Sequence, residues 1–456
     1  MSLAGKQEPR TQNLEPKDAG SWWVEGRSSL LVGWLVLVVL FGAALWLRLY
    51  RLDVQPLWLD EGTTWAQVTG SKLSTLLVDL LRPSQAYPLF HLLLKLDTRL
   101  LGDSEWALRL PSALAGALAV PAIALLGREL RGWVLGIAAA LLLLVSPFGI
   151  WQSQDVKAYS LTLLTAILLG WTLIRAIRRG TVSSWLIFAA VALIAPFVHR
   201  LLVFTLIGCA LAWALTSTHH RRRLVLAGAI VGGLGLVAAL ALSLRYQQAG
   251  GQFAAVGPIR AAWLTFGQFA IGQWPGSVSR LWLLPFGLLT LTGVLRLWLD
   301  LRRDDRQGAI VVLALGAFPA LLFALLLTFQ SAFEVRYLTI VFPFWLLALS
   351  WSLPEPRDWN MRRPRANPWL LGSLLLFCAL IASYQALYLR DKGLFSGSIV
   401  KEDYRGAIIE LAQHVHPDDL VMVYPDTIMP LYRYYAPRMS QQPLPEPVSY
   451  PELGRA

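Results

Sequence analysis

Asp60 and Glu61 are adjacent carboxylates within the stretch Pro-Leu-Trp-Leu-Asp-Glu-Gly-Thr-Thr-Trp, residues 56–65, and they lie between Trp58 and Trp65. Tryptophan favours the membrane–water boundary, and this stretch follows closely on an apolar run ending at Leu49. An acidic side chain at that depth stays ionised and still reaches a lipid-borne substrate. The pair is therefore a candidate general base on one membrane face. A plainer reading makes Asp60 the cap of a short helix whose first turn holds Glu61 and Thr63.

Three further groups of polar residues stand at the ends of apolar runs. Residues 151–160 place Asp155, Lys157 and Tyr159 at the start of one run. His199 and Arg200 close the segment Pro-Phe-Val-His-Arg, and Glu334, Arg336 and Tyr337 open a later run. Taken singly, Asp155 and Lys157 read as a solvated turn, Lys157 or Arg336 as snorkelling anchors, and His199 as a hydrogen-bonded interfacial histidine. Taken together they form a constellation at one membrane depth on one face.

The elements that must hold these residues follow from the hydropathy pattern. The chain has 456 residues, 56% of them hydrophobic and 15% charged, with 20 tryptophans. Apolar runs near twenty residues recur along most of it, the pattern of an all-α polytopic membrane protein. Beyond a first span at 29–49, spans are expected at 107–126, 133–150, 158–174, 184–199, 201–218, 223–244, 279–299, 308–328, 336–352 and 368–389, about 11 transmembrane helices in all. The segment 50–106 becomes a long first outer loop. Within it the apolar stretch 88–101 is too short to cross and carries His91, Lys95, Asp97 and Arg99, so it is expected to lie at the interface.

Loop charge sets the orientation. One set of loops holds Arg128 and Arg131, Arg175, Arg178 and Arg179, Arg221 to Arg223, Arg302, Arg303 and Arg306, and Arg357 to Arg365. The opposite set of short loops holds little beyond Lys157, Arg200 and Arg336. The positive-inside rule makes the first set cytoplasmic, with the N-terminus inside and the C-terminus outside. The net charge of +12 is thus a topology signal spread through short loops, and no nucleic acid partner is expected. Those loops leave no room for a nucleotide-binding domain, and no Gly-rich phosphate loop follows a strand. Chemistry is expected on the outer face.

Three regions result: a disordered cytoplasmic N-terminus at 1–28, a transmembrane domain at 29–390, and a small extracytoplasmic α/β segment at 391–456. In that last segment, helices are expected over Asp403–His414 and Thr427–Tyr435, with a strand over Leu420–Tyr424. It is too short for an independent core and is expected to dock on the membrane part. In the loop 245–278, Trp263, Phe266 and Phe269 recur every three residues, as in an amphipathic interfacial helix. Cys209 and Cys378 fall in apolar runs and indicate neither a disulfide framework nor a metal cluster.

In this order the pieces resemble the GT-C glycosyltransferases that use polyprenyl-phosphate sugars, the superfamily of protein O-mannosyltransferases and aminoarabinose transferases. Asp60-Glu61 matches that family's acidic pair, and Tyr87-Pro88-Leu89-Phe90 resembles its Pro-rich step into a short helix. Glu105 to Gly116 is similar to the start of its second span. Gln152 to Tyr159 resembles a Ser-Gln-Glu-Ala-Arg-x-Tyr segment, with Asp155 for the acid and Lys157 for the arginine. Arg336-Tyr337-Leu338 followed by Pro343 matches an Arg-Tyr-Leu motif near the donor phosphate. Lys157 departs from the pattern, because lysine lacks the bidentate fork of arginine.

The resemblance implies a transferase that moves a sugar from a polyprenyl-phosphate donor to a protein, lipid or glycan acceptor by one inverting displacement. Asp60 is then the base, Arg336, Lys157 and Tyr337 face the donor phosphate, and Glu61 and Asp155 position the acceptor or neighbouring cations. Tyr87, His91, Tyr159, His199 and Arg200 are further site candidates. No cofactor is required by the sequence; a divalent cation between the carboxylates is allowed for but not demanded. The location implied is the cytoplasmic membrane, and an excess of Arg over Lys (33 against 7) suits a GC-rich bacterial genome. The main alternative is a multi-span transporter or flippase. Spans nearly free of acids and the lack of an internal repeat argue against it.

Overall fold

The computed structural model describes residues 27–80, 87–217, 256–272, 280–327, 333–354, 401–416, 418–440 and 442–449, with isolated positions at 225–235 and 376–399. The expected spans at 223–244 and 368–389 lie outside the described residues apart from those positions. So do the basic loops at 221–223 and 357–365 and residues 1–26.

Helix α1 (Arg27–Leu49) is followed by three short helices, α2 (Leu59–Gly70), α3 (Leu73–Asp79) and α4 (Pro88–Leu101). Then come α5 (Glu105–Arg131), α6 (Trp133–Val145), α7 (Pro147–Ser153), α8 (Tyr159–Arg179), α9 (Val182–Val198) and α10 (Leu202–Thr216). Beyond them lie α11 (Pro258–Ile271), α12 (Leu284–Asp300), α13 (Gln307–Leu327) and α14 (Phe342–Trp351). The C-terminal piece holds α15 (Tyr404–His414) and α16 (Met429–Met439), plus strands β1 (Met422–Val423) and β2 (Val448–Ser449), which pair in parallel.

The chain is a polytopic all-α protein with a small C-terminal β/α piece. Among the described residues five helices are long and apolar enough to cross a membrane, or six if α6 and α7 form one bent span. The run at 133–150 is broken where a single span is expected. Pro147 disfavours helix at Ser146, and Ser146 instead caps α7 by accepting from the Gly149 amide; the two helices meet at 62°. Helices α5 and α6 pack closely, because a Cβ on Gly127 would come within 2.5 Å of the Gly136 Cα. Such small-residue contacts let helices approach where lipid supplies no hydrophobic drive.

Helix α4 forms where the interfacial helix is expected. At 14 residues it spans about 21 Å, short of the roughly 30 Å hydrocarbon core. It buries Phe90, His91 and Leu94 while Leu93, Leu96 and Leu100 stay exposed, an outward apolar stripe suited to an interface. Helix α11 is different. Trp263 is exposed but Phe269 is buried, and Phe266 and Phe269 pack on the Trp345 ring at 6.3 and 5.7 Å. Its aromatic repeat thus serves protein packing more than lipid contact.

A second apolar cluster, separate from the main helical core, joins Leu57 and Val68 of the segment between α1 and α5 to Leu108, Val156, Leu431 and Tyr435. The C-terminal piece therefore docks on α2 and on the start of α5. A Cβ on Gly62 would come within 2.6 Å of the Leu431 side chain, so only glycine lets α16 seat so closely. Tyr435 Oη accepts from the Leu57 amide at 2.6 Å, Arg438 pairs with Asp103 at 2.7 Å, and Arg405 forms an ion pair with Glu105.

Candidate active site

The site is assembled where α2 begins, where the chain turns between α7 and α8, and where a 3-10 turn (Val335–Ile340) leads into α14. Successive residues of a helix point about 100° apart, so Asp60 and Glu61, second and third residues of α2, diverge. Asp60 turns outward: its Oδ2 accepts from Arg336 Nη1 at 2.6 Å, and its side chain is 33% exposed. It does not cap the helix. Glu61 reaches back instead, its Oε2 accepting from the Trp58 amide at 3.3 Å.

Glu61 is fully buried and anchors the segment between α1 and α5. Arg109 of α5 grips it with two bonds, Nε to Oε1 at 2.9 Å and Nη2 to Oε2 at 2.7 Å. The same guanidinium donates to the carbonyls of Leu52, Gln55 and Pro56 at 2.7–3.0 Å. Glu61 Oε1 also accepts from the Val156 amide at 2.9 Å, tying α2 to the turn that carries Asp155. Burial alone would raise the Glu61 pKa, but Arg109 and Lys401 beside it hold the carboxyl well below its usual range.

Asp155 is buried against Trp58, whose Nε1 donates to Oδ1 at 2.7 Å. Burial keeps its pKa above the usual carboxylate value despite the pull of Lys401, and the nearby Glu61 charge adds to that rise. The Trp58 ring in turn lies under the Arg336 guanidinium at 5.2 Å, a cation–π contact that fixes the arginine over the site. Arg336 Nε is buried without a hydrogen-bond partner.

An aromatic layer leads from Arg336 to Lys157. Arg336 sits 5.8 Å from the Tyr159 ring. The His199 ring lies against both Tyr159 and Tyr87, at 5.6 and 5.7 Å, and Lys157 Nζ donates to Tyr87 Oη at 3.0 Å. His91 packs edge-on to Tyr87 at 4.9 Å. Tyr337 stands beside Phe323 at 6.3 Å, and Arg200 is exposed on the turn that carries His199. The structure thus gathers Asp60, Glu61, Asp155 and Arg336 closely, with Lys157, Tyr87, His91, Tyr159 and His199 as an adjoining wall.

Residues 82–246, about a third of the chain, match the family model of dolichyl-phosphate-mannose-protein mannosyltransferase. By structure the chain is similar to ArnT from Cupriavidus metallidurans in the apo state, with 15% identity and a TM-score of 0.52 over 89% of this chain and 85% of that one. The same protein bound to undecaprenyl phosphate gives 14% identity and a TM-score of 0.50 over 91% and 85%. The Archaeoglobus fulgidus oligosaccharyltransferase tethered with an acceptor peptide gives 14% identity and a TM-score of 0.51. That match covers 94% of this chain and 61% of the oligosaccharyltransferase. The chain has the GT-C fold. No curated protein matches it by sequence.

In this GT-C chain two cations of the site escape the sequence reading. Arg109 sits in the first turns of a long apolar helix, inside the quoted Glu105–Gly116 stretch, and Lys401 lies 340 residues from Glu61. Among the described residues no group of three or more His, Cys, Asp and Glu side chains converges as a metal site. Where Glu61 and Asp155 do converge, the Lys401 ammonium stands between them.

His91 makes stability depend on pH. Burial, with Lys157 nearby, pushes His91 down to about 4 even though Asp79 pulls the other way. It stays neutral in the folded protein at pH values where the unfolded chain, titrating near 6.5, takes up protons. Its share of stability is therefore fully present above about pH 6.5 and falls as pH drops from there toward 4. Unfolding midpoints of the purified protein should decline across that window. His91→Gln should lessen the slope, and an unchanged slope would remove the assignment.

Proposed function

We propose that this chain is an integral membrane glycosyltransferase that moves a sugar from a polyprenyl-phosphate donor to an acceptor hydroxyl on the outer face of the membrane. One observation carries the choice of base. Of the three clustered carboxylates, Asp60 has a side chain 33% exposed, whereas Glu61 and Asp155 are 0% and 3% exposed. A base must reach the acceptor proton, and Asp60 alone is open to it.

The acceptor hydroxyl attacks the anomeric carbon while Asp60 takes its proton. The bond from that carbon to the phosphate oxygen breaks, and the polyprenyl phosphate leaves with the electron pair, inverting the centre. The leaving phosphate needs no proton but does need a cation, and Arg336 with Lys157 supplies it. Before donor arrives Arg336 is held by Asp60; a phosphate that engages the guanidinium frees the carboxylate to act. Glu61 keeps Arg109 and Lys401 in place, and Asp155 keeps Trp58. Tyr87, Tyr159, His91 and His199 offer rings and neutral nitrogens to the sugar, with Tyr337 and Arg200 at the margin.

The wider reading assigns residues 29–390 to a domain of eleven spans, residues 1–28 to the cytoplasm and residues 391–456 to the outer face. Docking of the C-terminal piece on α2 supports placing both on one side. Cysteines at Ser71 and Ser440 should react with a membrane-impermeant reagent from outside, and a cysteine at Ser183 from the cytoplasmic side. The reverse pattern would overturn the orientation.

The donor assignment has its own test. Arg336→Ala should weaken binding of a polyprenyl phosphate by about 10- to 100-fold, the worth of a charged hydrogen bond. Arg128→Ala, at the far end of α5, should leave binding unchanged. Equal losses from the two would remove the basis for placing the donor phosphate at Arg336.

A further inference from the structure

Lys401 is carried into the site by the C-terminal segment, and its surroundings are those of a bound cation. Its Nζ lies 3.1 Å from Glu61 Oε2 and 3.2 Å from Asp155 Oδ1, with the lysine side chain 5% exposed. The rings of Trp151 and Trp58 flank it at 5.4 and 5.9 Å. Two buried carboxylates this close are tolerated only if their charge is met locally. Here two acids, Glu61 and Asp155, are balanced by two bases, Arg109 and Lys401, with no ion from solution.

The donor count points the same way. The two Glu61 oxygens offer about four lone-pair sites. They already accept from Arg109 twice, from the amides of Trp58 and Val156, and from Lys401. A divalent cation bridging Glu61 and Asp155 would need oxygens at about 2.0–2.6 Å and would have to stand where the ammonium is. The residues present do not fit a metal at this point. We propose that Lys401 is a positioning residue that occupies the place of a divalent cation in the candidate active site, so that the site is completed by docking of the C-terminal segment.

Its action is indirect. Lys401 holds Asp155, Asp155 holds the Trp58 indole, and the Trp58 ring carries Arg336. Without Lys401 the Glu61–Asp155 pair keeps an unmet negative charge. Either a proton or a small cation must then enter.

The experiment uses the full-length purified protein, with Mn²⁺ as the probe, followed by electron paramagnetic resonance and by the melting temperature. For the wild type, EDTA and millimolar Mn²⁺ should leave melting unchanged, with no tightly held Mn²⁺. Lys401→Met should melt lower, and Mn²⁺ should raise its melting temperature in a concentration-dependent way as the ion binds the folded state. Lys401→Arg should show no Mn²⁺ response, because the cation is retained. A wild type that holds one Mn²⁺ tightly or melts lower in EDTA overturns the proposal. So does Lys401→Met melting like the wild type with no response to Mn²⁺. The activity arm rests on the transferase reading: Lys401→Met should lose at least tenfold in turnover and regain part of it with Mn²⁺. If no donor supports transfer by any form, that reading fails by itself, and the melting and Mn²⁺ results still decide the role of Lys401.

Discussion

Replacing Arg109 with methionine is expected to destabilise the folded protein by about 3–5 kcal/mol, the cost of stranding one partner of a buried ion pair. Arg109 and Glu61 are both 0% exposed. Removing the guanidinium leaves the Glu61 carboxylate with too little compensation and three carbonyls, of Leu52, Gln55 and Pro56, without their donor. The segment between α1 and α5 should loosen from α5, and Asp60 with it. Chemical unfolding followed by tryptophan fluorescence measures the loss. Adding Glu61→Gln to Arg109→Met should recover part of it, because the stranded charge is then gone and the two sites are coupled. A single variant as stable as the wild type would show that the pair does not hold this segment.

Asp60→Asn should behave in the opposite manner, with folding kept and turnover lost. The amide preserves size and polarity, and its oxygen can still accept from Arg336, but it takes up a proton far less readily than a carboxylate. Loss of general-base help costs about 10²- to 10⁴-fold in turnover. Asp60 is part-exposed, as is its partner Arg336, so its stability share is that of a surface pair, within about 1 kcal/mol. Donor binding and melting measured beside turnover separate a lost base from a lost fold. Transfer at close to the wild-type rate would pass the role to Asp155.

The contrast between these two substitutions shows what the sequence made legible. The acidic pair, its interfacial tryptophans and the polar groups at span ends were visible as types and spacings, and α4 and the C-terminal helices fall close to the expected bounds. Adjacency hid the division of labour, because consecutive helical residues point in different directions: Glu61 enters the protein and Asp60 leaves it. Arg109 was concealed by its apolar helix, where a lone cation looks like an anchor. Lys401 was concealed by distance along the chain, since no local pattern tells that a tail residue will reach a carboxylate at the start of α2. The break at Ser146 and Pro147 was masked by hydropathy, which counts apolar residues and is blind to the backbone conformation that proline imposes.

The central claim is that sugar leaves a polyprenyl-phosphate carrier through chemistry at Asp60. It is tested most directly by mass spectrometry of membrane lipids and envelope glycans from cells carrying the wild type, no protein, or Asp60→Asn at equal expression. Loss of the protein and Asp60→Asn should give the same result: a polyprenyl-phosphate sugar accumulates and one glycan or glycolipid lacks that sugar. Unchanged glycans in the Asp60→Asn cells, with the protein present and folded, would contradict the account.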